Sequence, residues 1–129
     1  MREVPVTLGG KERKLRYDFN ALCDLERTLG RPMLQVIGQL PGLPFADIRD
    51  FLWLGVQHES DSTATVRRVG EWLAAELRAG RALLDFYHVI DVALVQSGVF
   101  GDPDQLEKRD AEKRAESAHE GNAQASQPA

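Results

Sequence analysis

The residues able to do chemistry are few and scattered. The three histidines, His58, His88 and His119, lie far apart, and none has a second histidine at a spacing that would bind a metal. His58-Glu59 opens no HExxH motif. Cys23 is the single cysteine, and it shares an apolar helix face with Phe19 and Leu22, where a thiol behaves as a small hydrophobe. A nucleophilic role would require a histidine brought beside it in space. Glu26 falls inside the same apolar arc. A buried carboxylate needs a partner, so the expectation is an ion pair with an arginine, or a side chain that snorkels to solvent. A catalytic role would need a second acid or a histidine close by, and the pattern identifies neither. Gly9-Gly10-Lys11 lacks the GxxxxGK[ST] spacing of a phosphate loop, and neither GxSxG nor GxGxxG occurs. The sequence therefore offers no catalytic, cofactor-binding or metal-ligating residues, and the expectation is a protein that is not an enzyme.

Composition narrows the setting. With 129 residues the chain has room for one small domain. A lone cysteine excludes an intramolecular disulfide framework and fits a reducing compartment. No run approaches the roughly 18 apolar residues of a membrane-spanning helix, and MREVPVTLGGKERK has no signal-peptide core. The expected location is the cytoplasm, with no membrane contact. A net charge of −4 argues against a dedicated nucleic-acid binder. That charge is unevenly placed: Asp102 to Ala129 carries net −3, and the preceding residues net −1. From Gly101 onward Leu106 is the only large aliphatic residue and there is no aromatic. Such a segment cannot offset an ordering entropy of roughly 1–2 kcal/mol per residue. The expected division is a domain over residues 1–100 and a charged tail over 101–129, partly helical through DQLEKRDAEKRAESAHE and disordered beyond.

Within the domain, Val4, Val6 and Leu8 alternate with Glu3, Pro5 and Thr7, and Leu15 and Tyr17 alternate with Lys14 and Arg16. Around Gly9-Gly10 these runs predict a β-hairpin, with Pro5 at an edge. Five basic residues (Arg2, Lys11, Arg13, Lys14, Arg16) mark the hairpin; they could touch phosphate or simply discourage strand aggregation. Asp18 or Asn20 should cap a helix ending at Gly30, with Phe19, Leu22, Cys23, Leu25 and Leu29 on one face. Pro32 opens a short helix with Met33, Val36, Ile37 and Leu40. After Pro41–Pro44, Phe45 leads into a helix to about Gln57 whose core face is Ile48, Phe51, Leu52, Gly55 and Val56, with Trp53 on the far flank between Arg49 and Gln57. Asp61 to Thr65 offer caps for a helix striped by Val66, Val69, Leu73 and Leu77 and ended or kinked by Gly80. The last helix, 82–97, is two-sided: Leu83, Phe86, Tyr87, Ile90 and Leu94 on one face, Leu84 and Val95 on another. It should lie centrally or at a subunit interface. The fold class expected is α+β and mostly α, a short N-terminal hairpin packed on four to five helices with a disordered C-terminal tail. A helix-turn-helix over 46–58 and 65–79 would expose Arg67 and Arg68, but the seven-residue linker exceeds the turn that motif uses.

The string TLGGKERKLRYDFNALCDLERTLGRPM resembles the N-terminus of phage tail tube assembly chaperones, in the form found in gene transfer agents and related prophages. The carrying elements are the Gly9-Gly10-Lys11 turn, Phe19-Asn20-Ala21-Leu22 at a helix start and Leu25-Glu26-Arg27-Thr28-Leu29-Gly30 at its end. A second block, Ile48-Arg49-Asp50-Phe51-Leu52-Trp53-Leu54-Gly55-Val56, is similar to the family's Leu-Arg-x-Leu-Leu-Trp-Ala-Gly-Leu helix, and the 65–77 helix follows its pattern. The likeness covers roughly residues 5–100. Cys23, in a slot often small and apolar, and the short Pro41–Pro44 loop depart from it.

The resemblance implies a non-enzymatic cytoplasmic chaperone without cofactors. It would keep the apolar tape-measure protein soluble, recruit tail tube protein, often self-associate, and leave before the particle is complete. A chaperone needs apolar surface that is covered in one state and offered in another. Trp53, Trp72, Leu84 and Val95 are the candidate partner-binding residues on this reading, the bland alternative being ordinary core. Competing expectations are a small head–tail or tail-completion adaptor and a small DNA-binding regulator using the basic hairpin or Arg67 and Arg68.

Overall fold

Two glycines in the left-handed region set the first turn. Gly9 and Gly10 have φ of 63° and 75°, the requirement of a type I′ two-residue loop. They join β1 (Val4–Leu8) to β2 (Lys11–Leu15) as an antiparallel pair in which Leu8 faces Lys11 and Val4 faces Leu15. Counting from the closing pair, Pro5–Lys14 falls on a non-hydrogen-bonded position, so the missing proline N–H leaves no gap in the ladder. Val6, Leu8, Leu15 and the following Tyr17 are buried. A computed structural model of the protein describes residues 2–40, 42–58 and 64–106, together with 108, 112 and 115.

The helices that follow are α1 (Phe19–Leu29), α2 (Met33–Gly38), α3 (Phe45–Val56), α4 (Val66–Arg78) and α5 (Leu83–Gln96). The fold is therefore α+β and mostly α, a hairpin on a helical bundle. The termini follow local chemistry. Asp18 caps α1 by accepting the Ala21 amide at 2.7 Å, and Gly30 ends that helix at φ 68°. Thr65 caps α4 through the Arg68 amide, and the Asp85 carboxylate accepts the Ala82 amide at the start of α5. The residues 103–106, 108, 112 and 115 are helical. The expected disorder of GNAQASQPA lies outside the described residues.

The hub of the core is α3, not the last helix. It packs on β2, α1, α4 and α5, and Ile48, Phe51, Leu52, Leu54, Gly55 and Val56 are all buried. Full burial of each large apolar side chain contributes about 1.5–3 kcal/mol. Gly55 is where the hairpin meets α3: a Cβ there would lie 2.7 Å from Leu15 Cδ2 and 2.9 Å from the Tyr17 hydroxyl. Its carbonyl accepts the Arg16 amide at 2.9 Å. Tyr17 donates to the Phe51 carbonyl at 2.5 Å and meets the Phe51 ring edge-on. The α5 helix buries one side only, through Phe86, Tyr87, Ile90, Ala93 and Leu94, and its opposite side stays open. Tyr87 reaches back to donate to the Leu43 carbonyl at 2.7 Å, holding the loop ahead of α3.

Three expectations are corrected. Phe19 is 66% exposed, because at about 100° per residue it lies some 60° round from Leu22, on the half-buried flank of Cys23 and Glu26. The α1 core arc is the narrower one of Leu22, Leu25 and Leu29. On α4 the buried line is Val69, Leu73 and Glu76 rather than one running from Val66 to Leu77. The helix is turned so that Trp72 and Glu76 face the hairpin, which leaves Leu77 at the opposite margin. Among the described residues Glu26 forms no arginine pair; half-buried, its Oε2 accepts the Met33 amide at 2.8 Å. It satisfies a first-turn donor of α2, where Pro32 in the capping position offers no side-chain acceptor.

Candidate partner-binding groove

The four residues singled out from sequence occupy different surroundings. Trp53 is half-buried against the core, and its indole N–H donates to the Ala64 carbonyl at 2.9 Å. Trp72 is half-buried beneath the hairpin turn. The Arg13 guanidinium stacks 3.5 Å above the Trp72 ring centroid, and Arg13 Nε donates to the Leu8 carbonyl at 3.0 Å. Both tryptophans thus hold loops onto the domain. Leu84 is 65% exposed and lines a shallow depression with Ile37, Leu40 and His88. Val95 is half-buried. Eleven residues apart, the two lie within about 20° of one another on the wheel, roughly 16 Å along the axis. The structure brings Leu84 and Val95 onto one helix side and joins neither tryptophan to it.

A larger concavity than the one beside Leu84 lies between α3, α4 and the start of α5. It encloses about 560 Å³. Its apolar surface comes from Phe45, Leu73, Leu77 and Leu83, with Arg49, Arg67 and Glu71 as the charged members. Phe45 is 75% exposed although it begins a helix whose remaining large apolar residues turn inward. Pro44 holds its extended conformation immediately before it and sets the direction in which Phe45 leaves the loop. Arg31, between α1 and α2, forms an ion pair with Asp47 in the first turn of α3 and donates to Gln39, so the start of α3 is tied to the neighbouring segments.

Arg49 shapes the wall. Its stem lies against Gly70, where an added Cβ would come 2.9 Å from Arg49 Cδ. A glycine inside a helix costs about 0.5–1 kcal/mol relative to alanine, and here it makes room for that arginine. Arg49 Nε is buried without a hydrogen-bond acceptor among the described residues. Burial raises the adjacent Asp50 carboxyl above its ordinary value, opposed by the Arg49 guanidinium and reinforced by Asp47. Glu71, also in the lining, lies 3.9 Å from Arg68, and the groove's two cations are Arg49, which acts electrostatically on Asp50, and Arg67.

A second, smaller depression of about 220 Å³ is lined by Phe19, Cys23, Leu34, Val99 and Phe100, with Glu26 already committed to the Met33 amide. The basic hairpin is partly engaged inside the fold, through Arg13 on Trp72 and Arg2 donating to Gln96 at 3.0 Å. Arg67 and Arg68 lie in the first turn of α4. His58 bridges the Gly55 carbonyl and Glu3 Oε1, His88 lies on the open side of α5, and His119 falls outside the described residues. Among the described residues no three His, Cys, Asp or Glu side chains cluster as metal ligands, and no helix is long and apolar enough to cross a membrane. Sequence reasoning missed the groove because it is built from the margins of three helices. The signals present were an apolar residue directly after Pro44 and a glycine midway along α4. No family model, curated protein or solved structure matches the chain.

Proposed function

We propose that this chain is a non-enzymatic tail assembly chaperone, which binds the tape-measure protein of a long-tailed phage or gene transfer agent and helps recruit tail tube protein. It acts in the host cytoplasm, self-associates, and is absent from the finished particle. The residue pattern over 5–100 suggests the class. The observation that carries the reading is the apolar groove beside Phe45, a concavity of about 560 Å³ between helices with an exposed aromatic ring at its edge. The tape-measure protein that the resemblance implies is long and apolar, and it must be kept soluble during assembly. A groove between helices is suited to that task, since side-chain ridges of an incoming helix can lie in it.

Co-expression with a tape-measure protein from the same tail locus tests the proposal. The chaperone reading expects the tape-measure protein to move into the soluble fraction and to copurify, while purified tails lack the chain. Stable retention in purified tails without copurification would favour a head–tail or tail-completion adaptor. Salt-sensitive binding to duplex DNA would favour a regulator.

A further inference from the structure

We infer that the groove between α3 and α4 docks an amphipathic helix that brings a carboxylate to Arg49. The inference rests on the chaperone reading for the partner's biological origin; the recognition chemistry follows from the groove itself. Phe45, Leu73, Leu77 and Leu83 offer an apolar floor and rim about 560 Å³ in extent. All its walls are helices, and it lies away from the β1–β2 edges, so an added strand has no backbone partners there. A helix presenting apolar residues at i, i+3, i+4 and i+7 matches such a surface.

Charge selects among such helices. Arg49 is held in place by its packing on Gly70 and its Nε is buried without an acceptor among the described residues, so an incoming carboxylate would meet the guanidinium at its terminal nitrogens. Arg67 adds a second cation at the rim, while Glu71 is drawn toward Arg68. A glutamate or aspartate at the edge of the incoming apolar stripe would lie along the guanidinium and accept from it, the two-point geometry that arginine favours. A lysine there would meet two like charges. The groove therefore discriminates acidic-edged from basic-edged amphipathic helices. The smaller Phe19–Leu34 depression offers no comparable cation.

A displayed library of 18-residue helical peptides, selected on the full-length chain, supplies the probe. Enriched peptides should combine the apolar stripe with one acidic residue at a constant offset. For the best peptide, replacing that acid by its amide should weaken binding about tenfold to the wild-type chain and less than about twofold to Arg49→Met, whose stem still fills the space beside Gly70. Phe45→Glu, at an exposed position, should reduce affinity by tenfold or more with an unchanged circular dichroism spectrum. Absence of enrichment, enriched peptides without the acid, equal sensitivity in both proteins, or amide shifts confined to Phe19, Leu34 and Val99 would each overturn the inference. Dimerisation of the wild-type chain that Phe45→Glu abolishes would overturn it too, in favour of a second copy. The charge coupling without tape-measure copurification sinks the chaperone reading alone; copurification indifferent to Arg49→Met sinks this inference alone.

Discussion

The buried Glu76 carboxylate on α4 accepts the backbone amide of Gly10 at the tip of the hairpin, 3.2 Å away and 66 residues distant in sequence. Glu76 is only 5% exposed, and its other oxygen lies 3.6 Å from Arg81 Nε. One side chain thus fastens the first turn of the chain to the end of its fourth helix. Glu76→Ala should destabilise the domain by about 1–3 kcal/mol, because the Gly10 amide loses its acceptor. Glu76→Gln keeps an acceptor oxygen and should cost less. Urea unfolding of the three proteins checks the order; equal stability of Glu76→Ala and wild type would show that the turn is held by other contacts.

The two turn glycines should differ in their tolerance of alanine. Both have positive φ, at a cost of roughly 1–2 kcal/mol for an L side chain. A Cβ on Gly10 meets nothing within 4 Å, whereas one on Gly9 would lie 2.6 Å from Trp72 Cδ1. Gly10→Ala should therefore lose about the conformational cost alone, and Gly9→Ala at least twice as much, with a shift in tryptophan fluorescence as the Trp72 ring is displaced. Matching losses would mean that Trp72 moves aside freely.

Tyr17 predicts an alkaline limit to stability. Burial pushes its phenol well above the ordinary value of 10.0. Below pH 10 the phenol is protonated in both folded and unfolded chains, so its contribution is fully present. Above that, the unfolded chain ionises first and stability is lost as pH rises, by up to about 1.4 kcal/mol per pH unit. Tyr17→Phe removes this loss along with the hydrogen bond to Phe51. Its stability should start lower at pH 8 and fall less steeply between pH 10 and 11. Parallel curves for the two proteins would contradict the burial argument.

The elements that depend on neighbouring residues were legible in the sequence. Alternation around Gly9-Gly10, the Asp18 cap, the Gly30 stop and the inward face of α3 all rest on interactions within a few residues. What escaped depends on how the elements are rotated against each other. Phe19 and Leu77 are apolar and adjacent to apolar stripes, yet a shift of about 60° on the wheel puts each outside the core. Glu76 reads as a polar flank until the hairpin tip is known to lie against it. Likewise Trp53 and Trp72, conspicuous as residue types, serve as an indole donor to Ala64 and a stacking platform for Arg13. The groove escaped for the same reason: Arg49 and Gly70 are 21 positions apart and acquire meaning only in contact.

Leu84 separates exposure from binding. At 65% exposed, Leu84→Ser should leave unfolding within about 0.5 kcal/mol of wild type. It sits beside α2 rather than in the α3–α4 groove, so tape-measure capture should also be unaffected. Loss of capture at normal stability would move the binding surface onto the open side of α5, toward Val95.

The most direct measurement is the amount of tape-measure protein that copurifies from cells co-expressing it with either the wild-type chain or Phe45→Glu. Phe45 is the first residue of α3 and mostly exposed, so an acidic replacement suits the helix start and leaves the fold intact. The account predicts soluble, copurifying tape-measure protein with the wild-type chain and an insoluble one with Phe45→Glu at equal chain abundance. Equal recovery with both would contradict capture through the α3–α4 groove.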